Sequence, residues 1–200
     1  MSELKPLFMQ SVKNCIGNEK TVAVALSGGK DSTAILFALL ELGITPVCYT
    51  FHVEGIESTD YLVAKKTCAD LGVKFVECVI PAVVDQKLLV DFIVQYDRKN
   101  KVDVETIYPY FYLLPKVTEK VLLIGVAAGI MMPLSKKACI HFRKDIVALN
   151  KWRDYDFEKV TKTDLICLNC IATDYFNNTI VRDPFYDLNI LAWFKTQAWD

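Results

Sequence analysis

Six consecutive residues, 27–32 (SGGKDS), combine the chemical groups that bind a polyphosphate. Adjacent glycines let backbone N–H groups approach a phosphate without an intervening side chain. Lys30 supplies a positive charge for phosphate oxygens, and the serine at either end of the segment supplies a hydroxyl donor. Asp31 can hold a magnesium ion that neutralises the charge developing on pyrophosphate. The segment therefore predicts a nucleotide polyphosphate site, with Lys30 and Asp31 as its catalytic residues.

The segment lies between a predicted strand and a predicted helix. Residues 21–26 (TVAVAL) are typical of a buried strand, and residues 31–42 predict a helix that ends at Gly43. A helix that begins in the loop directs its positive dipole end at a bound anion. Two common phosphate loops are excluded, because Gly-Lys is not followed by Ser or Thr and the pattern Gly-x-Gly-x-x-Gly is absent. An incidental glycine turn is disfavoured by this order of strand, turn and helix.

Further strands and helices alternate along the first 130 residues. Strands are predicted at 46–51, 73–80 and 121–126, and helices at 58–71, capped by Ser58 or Thr59, and at 84–96. This alternation predicts an α/β fold with a doubly wound parallel sheet between two helical layers. Helices rich in charged and aromatic residues are predicted from residue 136 onward. We expect one domain over residues 1–200, with its core at 20–130 and a mainly helical part at 136–200.

Composition excludes several functional classes. The 23 basic and 24 acidic residues leave a net charge of −1, so no general attraction to nucleic acid or to an anionic membrane is encoded. The N-terminal residues lack the uninterrupted apolar stretch of a signal peptide, and no apolar run is long enough to span a bilayer. The odd number of cysteines, 7, favours reduced thiols. These features predict a soluble cytoplasmic protein.

The sequence AVALSGGKDST at residues 23–33 resembles the signature of the PP-loop ATP pyrophosphatases, which have the adenine nucleotide α-hydrolase-like fold. This family includes asparagine synthetase, GMP synthetase, NAD synthetase and tRNA-thiolating enzymes. Further segments are similar to the synthetase domain of asparagine synthetase: Cys48-Tyr49-Thr50-Phe51 with Ser58-Thr59-Asp60, Val121-Leu122-Leu123-Ile124-Gly125, and Arg182-Asp183-Pro184-Phe185-Tyr186-Asp187. The resemblance covers about residues 20–195.

The resemblance implies a ligase that uses ATP and Mg²⁺. Such an enzyme adenylates a carboxylate or carbonyl substrate with release of pyrophosphate, and an amine or ammonia then displaces AMP. The implied nucleotide contacts are Ser27, Gly28, Gly29, Lys30, Asp31 and Ser32 at the phosphates, Thr50, Phe51 and His52 near adenine, and Ile124 and Gly125 on the opposite side. His52 equally fits a strand-end residue hydrogen-bonded to the backbone.

One segment departs from asparagine synthetase. That enzyme follows its later glycine with acidic, magnesium-binding residues, whereas this chain reads Gly-Val-Ala-Ala-Gly at 125–129. Asp145, Asp183 or Asp187 could supply the missing carboxylate from another element. Otherwise the chain is a nucleotide-binding protein that has lost turnover, which we keep as an alternative.

The pair Cys167-Leu168-Asn169-Cys170 is a second candidate site. With Cys139 it offers ligands for zinc or an iron–sulfur cluster, but a single Cys-x-x-Cys is weak evidence, and structural thiols are the favoured interpretation. If these cysteines are functional, the chain is a PP-loop sulfurtransferase that thiolates a nucleobase.

The sequence leaves the partners open. A small molecule or a nucleobase is the expected acceptor, with ammonia or a sulfur donor supplied free or by a partner protein. The aromatic cluster Tyr108, Tyr110, Phe111 and Tyr112 could stack on a base, although core or lid packing is favoured at this spacing. The apolar segment 188–199 could dock on the chain's own core or on a second copy in a homo-oligomer.

Overall fold

The computed structural model describes residues 3–98, 101–128, 142, 145–160, 165–176 and 179–196. Within these ranges the strands are β1 (Ala23–Ala25), β2 (Val47–Val53), β3 (Lys74–Ile80), β4 (Val121–Leu123) and β5 (Ile180–Arg182). The helices are α1 (Leu4–Ile16), α2 (Lys30–Glu41), α3 (Thr59–Leu71), α4 (Gln86–Gln95), α5 (Lys101–Ile107), α6 (Tyr110–Leu113), α7 (Ile146–Val160), α8 (Ile166–Tyr175) and α9 (Leu188–Thr196). Among the described helices, none combines the length and the apolar character needed to cross a membrane.

The strands form one sheet in the order β3-β2-β1-β4-β5, and every neighbouring pair is parallel. The chain runs outward from β1 to β2 and β3 through α2 and α3, and then returns to place β4 on the other side of β1. This reversal leaves a crevice beyond the carboxyl ends of β1 and β4, which is where open α/β sheets bind ligands. The predicted doubly wound parallel sheet is confirmed.

Both faces of the sheet are buried. Val24 and Leu123 pack with residues of α1, α2 and α3 in one apolar cluster. Their neighbours Ala23 and Leu122 pack with residues of α4, α5, α6 and α8 in the other. Because successive strand residues point to opposite faces, short apolar strands supply both clusters, as expected for a three-layer α/β/α fold.

Local signals predicted the first helices and strands well. Ser58 caps α3, its hydroxyl accepting a hydrogen bond from the Tyr61 N–H at 3.2 Å, and Gly72 ends the helix in the left-handed conformation. The final helix, α9, packs against α1 and α7 through Ile190, Leu191 and Phe194. Its described residues therefore dock on the chain's own core.

Two expectations for the later chain need correction. The strand predicted at 121–126 ends at Leu123, because the chain turns away over the end of the sheet to approach α2. The region beyond residue 136 is mainly helical in its described residues, as expected, but it also contributes β5, a strand that was not predicted and that extends the sheet beside β4. A strand of 3 residues is too short to show a periodic pattern, so sequence analysis missed it.

Candidate functional site

A cavity of about 330 Å³ lies at the carboxyl ends of β1, β2 and β4. This volume is within the range of small-ligand sites. The structure brings together most residues predicted from the sequence at its wall: Ser27, Gly29, Asp31, Ser32, Thr50, Phe51 and Gly125. The cavity therefore lies in the crevice created by the sheet's reversal.

The loop after β1 is held in shape by its two serines. The Ser32 hydroxyl accepts a hydrogen bond from the Ser27 N–H at 3.1 Å and lies 3.0 Å from the Ser27 hydroxyl. The Ser27 hydroxyl also accepts from the Gly29 N–H at 3.3 Å. Ser32 is 4% exposed, so it supports the loop from below, whereas Ser27 is exposed at the rim. The two predicted phosphate ligands thus also fix the backbone that would surround a phosphate.

The start of α2 has no side-chain cap, in contrast to the next two helices along the chain. Ser58 caps α3 and Asp85 caps α4, each accepting a hydrogen bond from a first-turn N–H. At α2 the capping residue is Gly29, which has no side chain to offer. The first N–H groups of a helix need external partners, and an anion in the cavity would satisfy them.

The turn after β4 closes tightly on the start of α2. A Cβ atom at Gly125 would lie 3.3 Å from both the Asp31 carbonyl carbon and the Ser32 nitrogen. Glycine at this position therefore lets β4 and α2 approach each other and form adjacent walls of the cavity.

Three carboxylates line the cavity: Asp31 from α2, Asp60 from α3 and Glu105 from α5. Carboxylate oxygens are the ligands that Mg²⁺ prefers, and this ion is usually held by one or two of them together with substrate phosphates. No cluster of three metal-binding side chains occurs in the described part of the chain. The cavity thus offers carboxylates that suit a magnesium ion accompanying a nucleotide.

Part of the cavity wall is aromatic. Tyr49, Phe51, Tyr61 and Tyr110 line the cavity, and the rings of Phe51 and Tyr110 meet edge to face with their centroids 6.3 Å apart. Thr50, also predicted near adenine, is buried, and its hydroxyl donates to the Leu26 carbonyl at 2.7 Å. Aromatic faces of this kind stack on nucleobases.

Some predicted contacts do not face the cavity. Lys30 lines a different, apolar cavity beside α1 and α9, which Asp31 lines as well. Ile124 is buried in the core, and Gly28 lies against α3. The remaining predicted contact, His52, has Nδ1 3.0 Å from the Val53 carbonyl oxygen and Nε2 2.6 Å from Glu77. Its contacts are those of the strand-end alternative.

Several residues of the cavity wall were not predicted as site residues from the sequence, among them Asp60 and Tyr61 in the first turn of α3 and Glu105 in α5. Tyr110 in α6 was considered for base stacking, although core packing was favoured. Asp60 belongs to a segment noted for its resemblance, but no sequence pattern near Glu105 marks it as a site residue. The placement of these residues depends on how their helices pack against the sheet.

The three candidates for the missing carboxylate are used elsewhere. Asp145 and Asp187 accept hydrogen bonds from the first N–H groups of α7 and α9, respectively. Asp183 accepts from the Ala127 N–H at 2.7 Å and from the Phe185 N–H at 2.9 Å. None of the three lines the cavity, where Asp60 and Glu105 are the better placed carboxylates.

Burial raises the pKa of Asp183 to about 7, although its backbone donors lower it. The charge of Asp31 raises the pKa of Asp183 further. Burial also raises the pKa of Cys15, to about 11, and the pKa of Tyr110, so both of these groups stay neutral. The folded protein therefore keeps the Asp183 proton to about pH 7, while the unfolded chain loses it near pH 4.

This difference predicts that the free energy of unfolding falls as pH rises from about 4 to about 7, by on the order of a few kcal/mol. Asp183→Asn cannot ionise and should remove this fall. Urea unfolding of both proteins at pH 5 and pH 7.5 measures the effect. If the free energy of unfolding changed equally between these two pH values in both proteins, the assignment of the raised pKa to Asp183 would be contradicted.

The Cys-x-x-Cys pair lies on α8, away from this cavity. Cys167 is buried, whereas Cys170 is exposed and lines a separate cavity of about 520 Å³ beside β5, together with Cys15 and Arg182. Cys139 lies outside the described residues. The predicted zinc or iron–sulfur site therefore stays a prediction, and sulfur transfer to the first cavity gains no support.

Comparisons with known proteins show what this chain is similar to. The family model described as asparagine synthase matches residues 3–130, which include the loop and β4. A tRNA(Ile)-lysidine synthase of Porphyromonas gingivalis is 45% identical over 58 residues, which are 28% of this chain and 13% of that protein. A solved structure described as a predicted subunit of tRNA methyltransferase, from Methanocaldococcus jannaschii, is 25% identical. It covers 68% of this chain and 65% of that chain, with a TM-score of 0.37. The chain thus spans less than two thirds of either relative.

Proposed function

Since this chain belongs to the asparagine synthase family of PP-loop ATP pyrophosphatases, we propose that it cleaves ATP between the α- and β-phosphates and transfers AMP to an acceptor oxygen. The observation that carries the proposal is the uncapped start of α2. It faces a cavity that also holds a carboxylate of the same turn, Asp31, and an aromatic wall. These three parts match the phosphates, the accompanying cation and the base of a nucleotide.

The cavity residues can each be given a role. Backbone N–H groups at the start of α2 bind the β- and γ-phosphates, and the Ser27 hydroxyl donates to them. Phe51 and Tyr110 hold the adenine. Asp31, with Asp60 or Glu105, would hold Mg²⁺, and this ion would offset the negative charge of the leaving pyrophosphate.

In the first step, an acceptor oxygen attacks the α-phosphorus in line with the oxygen that bridges the α- and β-phosphates, and forms a bond to it. The bond between the α-phosphorus and the bridging oxygen breaks, and pyrophosphate leaves with the electron pair. A nucleophile, such as ammonia or an amine, then attacks the carbon bonded to the adenylated oxygen. The bond between this carbon and the oxygen breaks, AMP leaves with the electron pair, and the nitrogen releases a proton to solvent. The protein acts by positioning and charge stabilisation, so no covalent enzyme intermediate is required.

The products of the reaction test this proposal. The full chain is incubated with Mg²⁺, ATP labelled at the α-phosphate, and separate panels of amino acids, other carboxylates and RNA. We expect labelled AMP and pyrophosphate in equal amounts, formed only when a suitable acceptor is present. Stoichiometric ADP would contradict the proposal. Tight ATP binding without product in any panel would instead support the nucleotide-binding protein without turnover.

A nucleobase in RNA is a second candidate acceptor. The likeness to a tRNA(Ile)-lysidine synthase, at 45% identity over 58 residues, favours it. A carbonyl oxygen of a base can attack the α-phosphorus as a carboxylate does, so the same cavity would serve either substrate. Pyrophosphate release in the RNA panel alone would identify this acceptor, and release with a free carboxylate alone would exclude it.

A further inference from the structure

We infer that Asp183 is a positioning residue that fixes the turn after β4, one wall of the cavity, in its ATP-binding conformation. This inference rests on the proposed function. Asp183 follows β5 and is 3% exposed. One carboxylate oxygen, Oδ2, accepts from the Ala127 N–H at 2.7 Å, and the other, Oδ1, accepts from the Phe185 N–H at 2.9 Å. A single side chain thus joins the segments that leave two adjacent strands.

The connection is needed because the backbone pairing between β4 and β5 ends before the turn. The Ile124 N–H donates to the Arg182 carbonyl at 2.9 Å, one residue beyond the last paired position of β4. The Ala127 N–H lies farther along and is buried, since Ala127 is 1% exposed. A buried N–H without an acceptor is costly, and the Asp183 carboxylate provides that acceptor.

The turn held by Asp183 reaches the cavity directly. Gly125 and Val126 line the cavity, two residues and one residue before the bonded N–H of Ala127. On its other side Gly125 is so close to α2 that even a methyl group would lie 3.3 Å from the Asp31 and Ser32 backbone. A shift of this turn would therefore disturb both the nucleotide wall and the phosphate-binding end of α2, although Asp183 itself does not line the cavity.

Asp187 provides a matched control. Its Oδ1 accepts from the Asn189 N–H at 2.7 Å and from the Ile190 N–H at 3.3 Å, at the start of α9. It too is an aspartate that holds two backbone N–H groups, a few residues along the same segment. Its partners do not belong to the cavity wall.

The test compares alanine and asparagine variants at both positions in the full chain. Calorimetry with Mg²⁺ gives the dissociation constant for ATP, and thermal unfolding gives the midpoint. We expect Asp183→Ala to weaken ATP binding about tenfold, which corresponds to one hydrogen-bonded contact. Asp183→Asn keeps one acceptor oxygen and should recover part of this loss. Asp187→Ala and Asp187→Asn should lower the midpoint and leave ATP affinity unchanged.

A purely structural role for Asp183 would give a different pattern. Variants at both positions would then lose stability, and all would bind ATP as tightly as the wild type, which would overturn the inference. If Asp183→Ala does not fold, Asp183→Asn carries the comparison, because its amide fills the same volume. Absence of ATP binding by the wild type would contradict the proposed function itself, whereas unchanged affinity in folded Asp183 variants contradicts this inference alone.

Discussion

Gly28→Ala is expected to lower the rate of pyrophosphate release by about 10²-fold or more, the scale that a misplaced reacting geometry can cost. Gly28 has a φ of +73°, and a Cβ atom there would lie 2.6 Å from the Asp60 carbonyl oxygen and 3.1 Å from the Val63 Cβ. The opposing atoms are the backbone and the base of a side chain in α3, which cannot move aside. The phosphate loop would have to shift instead.

Gly55→Ala is the matched control for this change. Gly55 has nearly the same φ, +74°, but a Cβ atom there would meet nothing within 4 Å. Both variants place an L-residue in the left-handed region, at about 1–2 kcal/mol each. ATP affinity by calorimetry and turnover by pyrophosphate release are measured for both. Equal activity in the two variants would show that the contact with α3 does not shape the site.

Asp31→Asn is expected to reduce turnover by about 10²- to 10³-fold, comparable to the loss of one preorganised electrostatic contact. The substitution preserves the shape of the side chain and removes its charge, so the fold should be retained. Because Asp31 is the proposed magnesium ligand in the first turn of α2, the variant should also lose the increase in ATP affinity that Mg²⁺ gives the wild type. Calorimetric titrations with and without Mg²⁺ measure this dependence.

The control for this variant is Asp91→Asn on α4, which removes an exposed carboxylate paired with Lys87. It should change neither turnover nor the magnesium dependence. Full activity in Asp31→Asn would remove this residue from the mechanism. Lys30→Ala offers a further contrast, since Lys30 lines the other cavity and its loss should cost less than that of Asp31.

The parts of this molecule that the sequence predicts well are those with local causes. The strand, glycine loop and helix at the start of the site follow from apolar runs and glycines within 20 consecutive residues, 22–41. Ser58 and Gly72 mark the ends of α3 for reasons of backbone hydrogen bonding and φ. Such signals act over a few residues, so they can be recognised without the tertiary structure.

The features that were missed depend on distant contacts. Glu105 and Tyr110 reach the cavity because α5 and α6, more than 70 residues after the phosphate loop, pack against the sheet. Lys30 belongs to the phosphate motif, but the pitch of α2 directs it towards α1 and not into the cavity. A helical period fixes which residues share a face, and tertiary packing decides which partner that face meets.

The acidic segment of asparagine synthetase illustrates the same distinction. The sequence shows that this acidic segment is absent at residues 125–129, but it does not show which carboxylates line the cavity instead. Asp183, expected as a replacement carboxylate, accepts hydrogen bonds from the turn that this segment forms. Asp60 and Glu105 line the cavity instead, and the buried placement of one carboxylate and the exposure of the others could not be read from residue type.

Calorimetric titration of ATP into the full chain with Mg²⁺ measures whether the cavity at the sheet's reversal binds a nucleotide through the start of α2. We expect binding at one site per chain, competition by pyrophosphate, and strong weakening in Gly28→Ala but not in Gly55→Ala. Absence of any binding heat at millimolar ATP, or equal affinity in the wild type and Gly28→Ala, would contradict it.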